Sequence, residues 1–218
     1  MDRRVALKNM GLALGYTVAT PTLISLMQSC KQDTAPQWAP VFFTPGEGAV
    51  LMQLADLILP KTDTPSATEV GVHKFMDQYL DEVSGEQEQK FLKMGMGKFI
   101  EKALTDAGKE SAADLEPGDL EPLLAASLKK RTAEEEGELF EKLMSYNEAM
   151  AQGEPAELDG ETSRFAFATQ LRDSVIWAYK NTEYVGEEVL AYVQIPGGYI
   201  PCGDLEELSG GKAWSPQR

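Results

Sequence analysis

From Thr44 to Lys180 the apolar residues of this chain recur every three or four positions, and no two-residue alternation persists for more than a few residues, so the sequence predicts an all-α fold. The punctuation agrees with the period. Thr44-Pro45-Gly46-Glu47 combines a capping threonine, a proline at the first helical position and a glutamate three residues on. Val50, Leu51, Leu54, Leu57 and Ile58 follow at helical spacing until Pro60 stops the run. A second helix is expected to carry Val72, Phe75, Met76, Tyr79, Leu80 and Val83 on its buried face, with charges opposite, and to end at Gly85. Phe91, Leu92, Phe99, Ile100, Ala103 and Leu104 predict a third helix ending at Gly108, Leu120 to Lys130 a fourth, and Leu139, Phe140, Leu143 and Met144 a fifth. Glu134 to Glu136 suit a helix's first turn, where negative charge offsets the dipole. Thr162 to Lys180 is the most apolar segment and is expected to be the central core helix, with Phe165, Ala168, Leu171, Arg172, Val175, Ile176 and Tyr179 on one wide face. One more short helix to Tyr192 precedes a tail made irregular by its prolines and glycines, from Ile195 to Gly203. The expected architecture is a single compact domain of about six helices spanning residues 44–218.

The start of the chain has the three-part layout of a secretory signal. Arg3-Arg4-Val5-Ala6-Leu7-Lys8 is close to the twin-arginine pattern S/T-R-R-x-F-L-K, departing at Asp2 and Ala6. An uncharged apolar stretch from Gly11 to Met27 follows, broken by Pro21, which is short for a membrane-crossing helix. Leu26-Met27-Gln28-Ser29-Cys30 is similar to a bacterial lipobox, so residues 1–29 are expected to be removed and Cys30 acylated. An ordinary secretion signal and an unmodified cysteine remain the alternatives. Residues 30–43, with two prolines and little periodicity, read as a tether.

Charge and cysteine usage narrow the functional classes. Removing Asp2, Arg3, Arg4 and Lys8 with the signal takes a net +2 from the formal −15, leaving −17. Such an acidic chain is a poor partner for nucleic acid, whose binding depends on clustered lysine and arginine. It is equally poorly suited to loose adsorption on anionic lipid. With Cys30 lipidated, Cys202 stands alone, so packing rather than disulfides must hold the fold.

Catalytic motifs do not emerge. Two cysteines 172 positions apart make no haem-attachment motif, and Gly95-Met96-Gly97 lacks the third glycine and preceding strand of a dinucleotide fingerprint, so it reads as a close helix–helix approach. The one histidine, His73, sits four residues before Asp77, and the pair could touch a metal; on the expected face assignment both lie on a solvated stripe. Three features invite partner binding: the Thr62-Asp63-Thr64-Pro65 loop, rich in side chains that bond their own backbone; the tail around Pro196, Gly197 and Tyr199; and the loop aromatics Trp38, Tyr184, Tyr199 and Trp214.

Together, the arginine pair, Leu57-Ile58-Leu59-Pro60, Thr62-Asp63-Thr64-Pro65-Ser66-Ala67, Gly71-Val72, Phe75-Met76-Asp77 and Pro196-Gly197-x-Tyr199-x-x-Cys202 resemble the gluconate 2-dehydrogenase subunit 3 family. The resemblance spans nearly the whole chain. It implies a small subunit without a cofactor of its own, joined to a large flavoprotein subunit that holds FAD and to a cytochrome subunit that holds haem c, on the periplasmic side of a bacterial membrane. By the same resemblance, the small subunit escorts its folded, signal-less partner through the twin-arginine route and stabilises it. The readings set against this are a stand-alone periplasmic or surface lipoprotein and an enzyme or metal-binding lipoprotein using His73, Asp77 and Asp63.

Overall fold

A computed structural model describes residues 38–154, 156–193, 195, 197–198 and 200–215. Their regular structure is helical: α1 (Pro45–Ile58), α2 (Val72–Glu82), α3 (Glu86–Ala107), α4 (Pro117–Ser127), α5 (Ala133–Ala151), α6 (Gly160–Lys180) and α7 (Leu205–Ser209). A 3-10 turn at Ala112–Asp114 precedes α4, and a π turn at Val185–Val189 follows α6. Among the described residues the sole extended pairing is an isolated bridge between Ala191 and Trp214.

The helix starts follow from local hydrogen bonding. Thr44 caps α1 by accepting from the Glu47 N–H, while Glu47 returns the bond to the Thr44 N–H, closing a capping box. Thr132 and Glu135 do the same for α5, with Glu134, Glu135 and Glu136 in the first turn. Asp159 caps α6 through the Thr162 N–H, and these bonds with Lys142 hold its carboxyl down at about 2. Gly85 does not close α2, which ends at Glu82; it is the cap residue of α3. The short helix expected before Tyr192 is a π turn, and the tail carries one helical turn, α7, capped by Asp204 and ended by Gly210 in the left-handed region.

α6 is the central helix, packed against α1, α2, α3, α4 and α5. Its closest approach is to α3, where Gly95 sits so near that a Cβ there would fall 2.8 Å from the Phe167 Cβ. Just beyond, the Phe99 and Phe167 rings meet at 5.5 Å between centroids. Thr162, Ser163, Ala166, Phe167, Ala168, Leu171, Val175, Ala178 and Tyr179 form the buried face of α6. That face is rotated from the expected one: Phe165 is half-buried and Ile176 sits at the surface, because small residues let α3 close on the other flank.

α2 departs furthest from expectation. Val72, Met76 and Leu80 are buried as predicted, but the flank that accompanies them inward is His73 and Asp77, at 4% and 1% exposure. Phe75, Tyr79 and Val83, assigned to the buried face by periodicity, are exposed at 40%, 37% and 63%. The solvated stripe assigned to His73 and Asp77 is therefore wrong. The reason lies 34 to 36 residues away: Asp77 accepts hydrogen bonds from the backbone N–H groups of Val41 at 2.7 Å, Phe42 at 3.0 Å and Phe43 at 3.1 Å. These three donors compensate the burial of a carboxylate, which an apolar surrounding alone would not tolerate. Residues 41–43, at the end of the stretch read as a tether, are thus bound to α2. Lys93 completes the clasp, pairing with Glu47 at 2.6 Å while standing 4.8 Å over the Phe42 ring.

Candidate functional site

The Thr62–Pro65 loop is held by a network rather than by burial. The Thr62 N–H donates to the Thr64 carbonyl at 2.9 Å, and the Ala67 N–H reaches back to the Leu59 carbonyl at 3.0 Å, so the chain turns sharply after α1. Asp56 on α1 accepts from both the N–H and the hydroxyl of Thr68, at 2.8 and 2.6 Å. Glu69 accepts from the Ser66 N–H at 2.9 Å and from the Lys61 ammonium, and those two donors hold its carboxyl below the ordinary range. From the core side, the buried Tyr179 of α6 donates its hydroxyl to the Pro65 carbonyl at 2.7 Å. The loop is therefore a preorganised surface element tied to two helices.

Opposite the loop, Thr182, Glu183 and Tyr184 after α6 and Glu187 and Glu188 of the π turn complete a groove of about 810 Å³. Its walls are acidic, with Asp63, Glu69, Glu183, Glu187 and Glu188 against Lys61. Of the loop aromatics, Tyr184 lines this groove, and Trp214 is exposed where the tail returns to Ala191. Gly197 is exposed and does not line it. Arg3, Arg4, Cys30, Pro196 and Tyr199 lie outside the described residues.

A second surface was not singled out by sequence reasoning. Phe75 and Tyr79 of α2 meet Trp177 of α6 in a mutually touching triad, with ring centroids 5.8, 5.4 and 5.5 Å apart. Trp177 is 48% exposed. The triad borders a groove of about 370 Å³ floored by Met76, Leu80 and Leu92 and rimmed by Glu88, Gln170, Asp173 and Ser174. The signal was present in the sequence: Phe75, Tyr79 and Trp177 exceed what one buried stripe per helix can hold. Which rings would be left outside depended on the rotation of both helices. Clustered exposed aromatics with a polar rim are the composition of binding hot spots.

The metal reading of α2 meets a different chemistry. Both carboxylate oxygens of Asp77 are engaged by backbone N–H groups. Burial, reinforced by Lys74 and opposed by Asp56 and Asp77, pulls the His73 imidazole below its ordinary 6.5. Asp63 lies in the loop groove, on a different part of the surface from these buried groups. Among the described residues, no group of three or more His, Cys, Asp or Glu side chains is placed to hold a metal ion. Nor is any described helix long and apolar enough to cross a membrane.

Comparison with known proteins agrees with the landmarks. The sequence model of a family described as gluconate 2-dehydrogenase subunit 3 matches residues 45–197, from the first residue of α1 into the tail. No curated protein and no solved structure matches the chain.

Proposed function

The chain belongs to the gluconate 2-dehydrogenase subunit 3 family, and on that premise we propose that it is the non-catalytic small subunit of an exported, flavin-dependent sugar or sugar-acid dehydrogenase. In this reading the large subunit contributes FAD and the substrate pocket, and a cytochrome subunit contributes haem c. The small subunit contributes the twin-arginine signal through Arg3 and Arg4, a lipid anchor at Cys30 on the periplasmic side, and a surface that keeps the folded large subunit bound.

The observation that carries the reading is the exposed aromatic triad Phe75–Tyr79–Trp177 beside its apolar groove. A helical domain of this size has no need to leave three touching rings half in water, whereas a subunit that buries them against a partner gains from each. The rigid Thr62–Pro65 loop, anchored by Tyr179 on the same half of α6, offers a second contact whose shape is set before binding. No step of chemistry is assigned to this chain.

The test is an affinity pull-down of the tagged full chain from its native membrane, with a flavin absorbance scan and identification of the chains retained. A stoichiometric flavoprotein is expected. A lone, colourless protein refutes the subunit reading and leaves the stand-alone lipoprotein. Replacing both Arg3 and Arg4 by lysine is expected to leave the chain and its flavoprotein unexported together; export of the flavoprotein without this chain refutes the escort role.

A further inference from the structure

A protein of net charge −15 has carboxylates to spare for its 20 lysines and arginines, and most described cations outside one pocket have taken them. Ion pairs engage Lys61, Lys90, Lys93, Lys98, Lys102, Lys109, Lys142 and Arg172. Among the cations without an ion pair, three line one pocket, of about 350 Å³, where α3, the end of α4 and the first turn of α6 meet. Lys102, Lys129, Arg131 and Arg164 line it together with Asp106 and Glu161, so four cations face two carboxylates and two positive charges remain. Among the described residues, no ion pair uses Lys129, Arg131 or Arg164. Glu135 feels Lys129 and Arg131 at a distance without pairing with either.

Arg131 is held in place by neutral neighbours instead, and Arg164 lies against the backbone at Gly160. Arg131 donates to the Ser127 and Lys129 carbonyls at 3.0 and 3.3 Å and stacks 4.6 Å over the Phe165 ring. Arg164 folds back on the first turn of its own helix, where a Cβ on Gly160 would fall 2.8 Å from its Nη1. That fold-back fits because residue 160 is glycine. Two half-buried guanidinium forks, that of Arg131 fixed by its bonds, with ammonium groups beside them and an excess of two positive charges, match a tetrahedral dianion. A phosphate monoester carries about −1.5 to −2 near neutrality and three strong acceptor oxygens.

We propose that this pocket binds a phosphate monoester group, taken between Arg131 and Arg164. The site is separate from the aromatic triad and the Thr62–Pro65 loop and does not depend on the subunit reading. Free phosphate and the headgroup of phosphatidic acid present the same chemistry, and binding measurements separate them. The full-length protein is titrated with inorganic phosphate by calorimetry, and sedimented with phosphatidylcholine vesicles with and without phosphatidic acid. A lipid anchor contributes equally to both vesicle types, so the difference between them reports the pocket.

Arg131→Gln together with Arg164→Gln is expected to weaken binding by about tenfold or more. Gly160→Ala retains every charge but displaces the Arg164 guanidinium, and is expected to weaken binding several-fold while leaving the circular dichroism spectrum unchanged. Lys180→Gln, which removes a cation elsewhere on α6, is expected to change nothing. Saturable phosphate binding lost in the pocket variants supports a soluble ligand, and vesicle binding alone, lost in the same variants, supports the headgroup. The proposal is overturned if neither probe binds saturably, or if Gly160→Ala and the double variant bind as the parent does.

Discussion

Asp77 concentrates three backbone donors on one carboxylate at 1% exposure, so the consequences of altering it are large and specific. Asp77→Ala leaves the Val41, Phe42 and Phe43 N–H groups without their acceptor and is expected to cost about 3 kcal/mol or more, read as a lowered midpoint in denaturant. Amide exchange at residues 41–43 should accelerate in the same variant, which a general loss of packing would not confine to that segment. Asp77→Asn keeps one acceptor oxygen and should fall between. His73, beside it, contributes a pH dependence set first by its burial. Its folded-state value lies below the ordinary 6.5, so the unfolded chain binds more protons in the window beneath 6.5. Its contribution to stability is therefore complete above that value and is lost as the pH falls toward the lowered folded value. Unfolding followed from about pH 7 down to about pH 5 should show this slope, and His73→Gln should flatten it. Spacing could not have revealed either role, because a carboxylate's acceptability inside a protein depends on donors, and these come from a segment 34 to 36 residues earlier.

At the scale of elements, the two glycines of α3 have opposite meanings. Gly95→Ala would place its Cβ 2.8 Å from the Phe167 Cβ, so α3 and α6 must separate, at a cost of about 1–3 kcal/mol. Gly97 has nothing within 4 Å, and Gly97→Ala should stabilise by about 0.5–1 kcal/mol through helix propensity alone. Thermal unfolding of the pair decides it: equal shifts in one direction would contradict the close approach. The capping box at Thr44 was legible as a string because its bonds lie within four residues, whereas at Thr132 the sequence was read only for the acidic first turn. Helix faces were less readable. On α2 the hydrophobic period chose the Phe75–Tyr79–Val83 flank beside the Val72–Met76–Leu80 stripe, and the polar flank, His73 and Asp77, is buried instead, with hydrogen bonds to Asp77 that period does not register.

For the whole molecule, the choice on α2 created the aromatic surface, since rotating Asp77 inward turned Phe75 and Tyr79 outward to meet Trp177. Trp177→Ala and Phe75→Ala are expected to reduce retention of the flavoprotein in the pull-down by about tenfold or more while leaving thermal unfolding of the isolated chain little changed. Retention equal to the parent's would remove the triad from the interface. By itself the sequence determined the all-α class, the segmentation into helices, the central place of α6 and the family. These rest on local bonds and on hydrophobic periodicity, both of which are carried by neighbours along the chain. Only the tertiary structure decided which flank of α2 and of α6 is buried, that residues 41–43 are clasped by Asp77, and that Lys129, Arg131 and Arg164 line one pocket. Each of those depends on groups far apart in sequence satisfying one another, and no local pattern encodes that meeting.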